Sequence, residues 1–348
     1  DEGFGPRPKE IEVFERNFAK FTNVSNAIAV SNNGDGFEMV LKTIDINKND
    51  EVITPSLNFK AWLMVMHKFN LKVKFCDVDV STLNMNIDDL EKKITSKTKI
   101  ICPVHMGGIS CNTKEIDKIA KFYSKKFGRK IFVIYDSARA VGIHNNNKPV
   151  GSNGDCEIFS FHGAKLMTTL GEGGMITTNN KSLANKLFAM RSYGDEKTWG
   201  MNYRMTKIGA HMGNLQLKRI NNMNLERINV SNKRIGYLNG LSEIDLPLIS
   251  KNFENIFYLF PILLKKKYGK KERDKIINYL EKKHKIVCSI PKHINKRWYF
   301  VKKYYGVPSL PNTDYIYERI FCPIVHPKLN IDQNKYISAA ITKSLSII

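Results

Sequence analysis

The stretch Cys156–Asn180, CEIFSFHGAKLMTTLGEGGMITTNN, sets two short apolar runs around a polar, glycine-rich turn that carries one lysine, Lys165. The runs EIFSF and GGMITTNN are too short for helices and rich in Ile, Phe and Thr, so both read as strands. Working outward toward the N-terminus, KIFVIYD ending at Asp136, KIICPVH, VKFCDVD, DEVITP and NAIAV repeat the pattern of a short apolar strand. Helical segments separate them: TKEIDKIAKFYSKKF, IDDLEKKI, residues 61–69, and a segment with Phe37, Val40, Leu41 and Ile44 at helical spacing. Repeated strand–helix–strand units with near-continuous apolar strands predict a parallel, helix-covered sheet. The strand after residue 173 is expected to have antiparallel neighbours.

Toward the C-terminus the pattern changes. SLANKLFAMRSYG is helical, and residues 209–241 read as one unusually long helix. From about residue 250, strands NIFYLFPILL and RIFCPIV alternate with helices ERDKIINYLEKK and NKYISAAITKSL. The expected fold class is α/β, with a large domain over residues 1–240 holding a mostly parallel mixed sheet. A smaller α+β domain is expected over residues 241–348. No internal repeat or low-complexity segment is evident.

The 348 residues carry 55 Lys+Arg against 33 Asp+Glu, a formal net charge of +22. Such a balance suits nucleic acid, an anionic membrane surface or small anionic substrates. The excess is mostly lysine in solvated runs such as KKKYGKKERDK and EKKHK, without the interleaved Arg and aromatics of a nucleic-acid groove. Compositional drift accounts for it better, so neither nucleic acid nor membrane is expected as a partner. The six cysteines, Cys76, Cys102, Cys111, Cys156, Cys288 and Cys322, form no C-x-x-C pair and no metal-ligand spacing with His. Reduced buried thiols and no metal site are expected. No run approaches the roughly 20 apolar residues of a membrane span, and no secretory segment opens the chain. These readings predict a cytoplasmic protein, and the start at Asp1 rather than Met suggests a trimmed N-terminus.

Ligands of open α/β sheets sit beyond the carboxyl ends of the strands. Three features fall there. SNNGDG feeds a helix N-terminus, where free N–H groups and the dipole favour a phosphate, although Asn-Gly-Asp-Gly also makes an ordinary capped turn. Asp136 ends an apolar strand, where a carboxylate needs a cation to stay charged. Lys165, held at a sheet edge and partly desolvated, can lose its proton and attack a carbonyl. A lysine, a carboxylate for a pyridinium nitrogen and a phosphate turn make the minimum apparatus for pyridoxal 5'-phosphate.

With these residues in place the chain resembles the pyridoxal-phosphate-dependent nucleotide-sugar aminotransferases of the DegT/DnrJ/StrS type, which have the aspartate aminotransferase-like, type I fold. The resemblance runs in order through GPRPKEIEVFERNFAKF, AIAVSNNGDGF, DEVITPSLNFKAW, VKFCDVD, PVHMGG, VIYDSARAVG, FSFHGAKLMTTLGEGGMITTN, MNYRMTKIGAHMGNLQL and CPIVHPKL. It implies that Lys165 carries the cofactor and then moves a proton between the donor Cα and the cofactor C4′. It implies that Asp136 holds the pyridinium proton, that Ser160 binds the phosphate, and that backbone amides of Gly34 and Asp35 do so too. Phe59 matches an aromatic that stacks on the ring. Asn202 matches an asparagine that reaches the phosphate in the other subunit, so a homodimer with shared sites is implied. Pyridoxamine 5'-phosphate would be the intermediate cofactor form, L-glutamate the donor, and a nucleotide-linked 3- or 4-keto deoxysugar the acceptor.

Three departures stand out. Arg139 occupies the place of a usual Gln or His near the cofactor's phenolic oxygen. Asp35 puts a carboxylate near the expected phosphate unless its side chain caps the helix. The chain starts close to GPRP, without the usual segment that helps form the substrate mouth. His162, Arg204 and His326 are candidate substrate contacts, while His162 equally reads as support for the lysine loop. His105 reads at least as well as a hydrogen-bonded structural residue. Met201, Met205, Met212 and Met223 read as packing rather than ligands, and Glu172 as an organiser of its own turn. Two other activities fit parts of the pattern: a sugar dehydratase on the same scaffold, in which histidine replaces the lysine, and a catalytically idle basic binding or regulatory relative.

Overall fold

The computed structural model describes residues 8–145, 148–194, 198–247, 254–291 and 298–348, so the GPR of the GPRP motif lies outside the described residues. The chain opens with helix α1 (Lys9–Thr22), strand β1 (Asn26–Val30), α2 (Asn33–Thr43), β2 (Glu51–Pro55), α3 (Lys60–Lys68) and β3 (Lys72–Cys76). It continues with α4 (Ile87–Lys93), β4 (Thr98–Ile101), α5 (Thr113–Phe127), β5 (Phe132–Asp136) and a small hairpin of β6 (His144–Asn145) and β7 (Lys148–Pro149). Then come β8 (Cys156–Ser160), β9 (Gly174–Thr178), α6 (Lys181–Met190), α7 (Lys207–Leu217) and α8 (Ile220–Leu238).

These elements build a seven-stranded sheet in the order β1-β9-β8-β5-β4-β2-β3. The pairs from β8 to β3 are parallel, and β9 runs antiparallel to both β8 and β1. That is the mixed, mostly parallel sheet expected, with the antiparallel strand where the turn after Lys165 put it. Strands β2, β8 and β9 are buried at every position, as strands covered on both faces must be.

Beyond residue 243, strands β10 (Ile244–Asp245), β11 (Ile262–Leu264), β12 (Cys288–Ser289) and β13 (Ile320–Pro323) form an antiparallel sheet in the order β10-β11-β13-β12. Helices α9 (Lys270–His284), α10 (Tyr299–Tyr305), α11 (Pro311–Arg319) and α12 (Ile331–Leu345) accompany it. A core of Leu238, Phe257, Phe260, Ile262, Leu264, Ile276, Phe321 and Ile341 fills this part.

Two expectations need correction. The long helix over 209–241 is two helices that meet at Lys218 and Arg219. The break lets α7 lie on α1, where Gly213 leaves room for the Phe14 ring (an added Cβ would stand 2.6 Å from it), while α8 goes on to pack against α12. The strand over 255–264 survives only at Ile262–Leu264. Phe257 has φ 50° and Pro261 has no N–H for a ladder, so residues 255–260 leave the sheet and pair with Gly107–Ile109 instead. All six cysteines are free thiols, five of them buried.

Helix α11 has no cap of its own. Its first amides are held by Asp77, just past β3. Oδ2 accepts from the Asn312 N–H at 2.9 Å, while Oδ1 accepts from the Thr313 N–H and hydroxyl at 2.8 and 2.6 Å. Ser56, after β2, meets the Thr313 hydroxyl at 2.6 Å. The two sheets are thereby tied by a buried carboxylate. Asp77→Ala is expected to lower stability by about 2–3 kcal/mol, the loss of a cap plus charged hydrogen bonds, read as a lower denaturant midpoint. An unchanged midpoint would remove Asp77 from this role.

Candidate active site

The carboxyl ends of β5 and β8, the N-terminus of α2 and the segments around Phe59, Tyr258 and Ser289–Pro291 enclose a cavity of about 860 Å³. Of the residues expected to act, Gly34, Phe59, Asp136, Arg139, Ser160, His162 and Lys165 line it. Lys165 follows β8 in a tight loop. Its N–H bonds the His162 carbonyl, the Phe161 N–H bonds the Gly173 carbonyl, and the Gly163 N–H bonds the Gly171 carbonyl. Gly174 lets β9 come against the entry to α2, since a Cβ there would lie 2.7 Å from the Asn32 backbone. The lysine loop and the α2 terminus are therefore one packed unit.

Burial lowers the Lys165 pKa to about 8, and the neighbouring Arg139 cation pushes the same way, while Asp136 and Glu172 oppose them. A lysine in this state is half neutral near pH 8, so it is a usable nucleophile and base near neutrality. Asp136 is almost fully buried and accepts from the Ala138 N–H at 3.0 Å.

At α2 the Asn32 side chain accepts from the Asp35 N–H at 2.9 Å. The Asp35 carboxylate turns back onto Ser31 and Asn32, at 2.5 and 2.7 Å. This corrects the expectation for Asp35: its amide is committed to the cap and its charge is turned into the helix start. The amides of Asn33 and Gly34, orphan by position in the first turn, have no acceptor among the described residues. Asn33 is held by its side chain, which donates to the Ile158 carbonyl at 2.9 Å and accepts from the Trp62 indole at 2.6 Å.

Other candidates sort clearly. His162 lines the cavity with its Nδ1 accepting from the Ala164 N–H at 3.1 Å, so that nitrogen braces the lysine loop. Its Nε2 lies 3.7 Å from Glu172, whose side chain faces the cavity rather than only ordering its turn. Asn202 and Arg204 lie together between α6 and α7, the Arg204 Nε donating to the Asn202 side chain at 3.1 Å, and neither lines the cavity. His326 is exposed after β13, where it accepts from the Lys328 N–H, and it does not line the cavity either. His105 is fully buried, its Nδ1 accepting from the Cys111 N–H and its ring stacked on Tyr135. Met205 is buried in a core cluster, whereas Met201 is exposed. No cluster of three or more metal-ligating side chains exists among the described residues.

Sequence reasoning missed Tyr258, Leu259, Trp62 and the Ser289–Pro291 wall. Tyr258 was hidden inside an apolar run that reads as one strand; Pro261 was its only mark. Gly108 makes its position possible, because a Cβ there would meet the Tyr258 N at 2.6 Å. The Ile256 and Leu259 amides bond the Gly108 and Gly107 carbonyls, both at 3.0 Å.

A mixed α/β sheet with a softened lysine, a buried carboxylate and free helix amides in one cavity defines a lysine-dependent α/β enzyme of the aminotransferase class. The chain belongs to the DegT/DnrJ/EryC1/StrS aminotransferase family, whose model matches residues 3–342. The family is pyridoxal-phosphate-dependent.

An uncharacterized protein of Methanocaldococcus jannaschii is 32% identical over 97% of this chain and 90% of its own length. The dTDP-3-amino-3,6-dideoxy-alpha-D-galactopyranose transaminase of Aneurinibacillus thermoaerophilus is 29% identical over 96% of this chain and 90% of its own length. The GDP-perosamine synthase of Escherichia coli O157:H7 is 33% identical over 78% of this chain and 74% of its own length. Among solved structures, a putative sugar aminotransferase of Streptococcus pneumoniae in its PLP form superposes with a TM-score of 0.90. It covers 98% of this chain and 93% of its own at 24% identity, which speaks to the fold.

Proposed function

We propose that this chain transfers an amino group, with L-glutamate as donor, to a keto group of a nucleotide-linked deoxysugar, using pyridoxal 5'-phosphate. One observation carries the reading: Lys165 with its lowered pKa, Asp136 and the two free amides of α2 open into a single cavity of about 860 Å³. The donor set fits the cofactor. Asn33 and Gly34 amides and the Ser160 hydroxyl would hold the phosphate, Asp136 the ring nitrogen, Phe59 the face of the ring and Arg139 the phenolic oxygen. When bound, the cofactor supplies an electron sink for the carbanion at the donor Cα. The residues do the rest. Lys165 takes and returns the proton, Asp136 keeps the ring nitrogen protonated, and His162 braces the loop that carries the lysine.

The transaminase and synthase names of the two characterised relatives support a nucleotide-sugar substrate but differ in nucleotide. Exposed Asn202 and half-buried Arg204, with exposed Tyr193, Met201 and Ile208 nearby in sequence, suit a face covered by a second copy, Asn202 then reaching the partner's phosphate. Free thiols suit a reducing cytoplasm. A domain boundary near residue 240, after α8, suits the separate sheets. Lys165 speaks against the dehydratase variant, in which histidine stands at this place.

The test is a half-reaction screen. Protein loaded with pyridoxal phosphate is expected to show a visible band that L-glutamate bleaches and that one of a panel of 3-keto and 4-keto sugar nucleotides restores. A band that no amino acid bleaches, or salt-sensitive nucleic-acid retention with no band, would overturn the proposal.

A further inference from the structure

Among the described residues each of the four buried arginines meets at least one acceptor, although a single nitrogen such as Arg234 Nη2 stays unmatched. Arg191 pairs with Glu15 and the Ala29 carbonyl, and Arg273 with Asp274 and the Tyr317 carbonyl. Arg234 bonds Asn334 and the Ile324 carbonyl, and Arg227 bonds Asn224. Arg139 is different. It is half-buried and lines the cavity, yet its guanidinium makes no hydrogen bond or ion pair among the described residues, and its Nη1 is buried without a partner. A guanidinium offers five N–H donors in a rigid fork, and leaving the buried Nη1 donors unmatched is unfavourable unless a ligand supplies an acceptor.

The group is nonetheless held in place. Its Cζ lies 5.6 Å from the centroid of Tyr258, whose ring also faces the Lys165 Nζ at 5.7 Å. The aromatic face attracts both cations and keeps them at one wall although they repel each other. Tyr258 is fixed in turn by the backbone bonds to Gly107 and Gly108, and its hydroxyl reaches the Ala164 carbonyl at 3.4 Å. The wall stands on the β4 side of β5, across from the α2 amides that abut β8 and β9. Arg139 is therefore a second anion position, distinct from the phosphate end and beside the lysine.

We infer that Arg139, held on the face of Tyr258, binds a carboxylate of the amino donor through N–H groups that no acceptor among the described residues uses. This rests on the aminotransferase reading and deepens it: the planar fork matches a planar carboxylate, and it sits next to the amine that must receive the donor's proton. Tyr258 is a positioning residue here.

The probe is glutarate, a dicarboxylate with no amino group, titrated calorimetrically into the cofactor-loaded protein. Arg139→Gln is expected to weaken glutarate about 100-fold, and Arg139→Lys about tenfold, since an ammonium lacks the fork. Tyr258→Phe is expected to stay within about twofold, while Tyr258→Leu, which removes the aromatic face, loses about tenfold. Glutarate affinity within threefold of wild type in both Arg139 variants would overturn the subsite, as would inorganic phosphate binding as tightly with the same Arg139 dependence. The visible band and its bleaching by glutamate are read on the same samples. A wild type that bleaches but shows no Arg139 effect overturns this inference alone. A wild type that takes up no cofactor overturns both readings.

Discussion

Lys165→Ala is expected to lower transamination by at least about 10⁴-fold, the upper range for a positioned proton-transfer group, and to remove the visible band of the loaded enzyme. Both losses follow from one atom, because among the described residues no second lysine lines the cavity. Stability is expected to move the other way. The lysine pKa is lowered to about 8 in the folded chain, so its charged form is disfavoured there relative to the unfolded chain. The resulting penalty is full below pH 8 and fades as the pH rises toward the ordinary lysine value. At pH 7 the alanine variant should therefore melt no lower than wild type. A variant that retained turnover, or that lost it by unfolding, would contradict this account.

Asp136→Asn is expected to lower turnover about 10³-fold, since a neutral amide no longer holds a proton on the ring nitrogen where charge develops. The variant carries a second signature. Asp136 is one of the two carboxylates that hold the Lys165 pKa up against burial and Arg139. Removing its charge should shift the titration of Lys165 further down, measured as the pH dependence of amine labelling in cofactor-free protein. Arg139→Gln should shift it up. Shifts of the same sign in the two variants would mean that the charges around Lys165 are not arranged as described.

Much of this site was legible in the residues themselves. Lys165 and Asp136 end or follow strands whose apolar continuity betrays burial on both faces, and the glycines after Lys165 mark a turn where backbone must approach backbone. Gly174 against Asn32 gives that approach its physical reason. Side-chain commitments were less legible. SNNGDG announces a capped helix, but only geometry shows that Asn32 captures the Asp35 amide and leaves Asn33 to present its own. Tyr258 was invisible for a different cause. Alternation and apolarity cannot reveal a run that leaves its sheet at a left-handed Phe257 and pairs with a loop almost 150 residues earlier. His326 and Arg204 illustrate the converse: proximity to a strand end or a motif does not carry a side chain to the cavity.

The Asp77 cap has a consequence for how the chain assembles. Helix α11 has only nine residues and no cap side chain of its own, and a short isolated helix is marginal in water. Its carboxylate arrives from a strand end 236 residues earlier in the chain. Closing so long a loop is entropically unfavourable until the parallel sheet has formed. Helix α11 should consequently be among the last elements to gain protection from hydrogen exchange during refolding, and the C-terminal third, expressed alone, should leave it frayed.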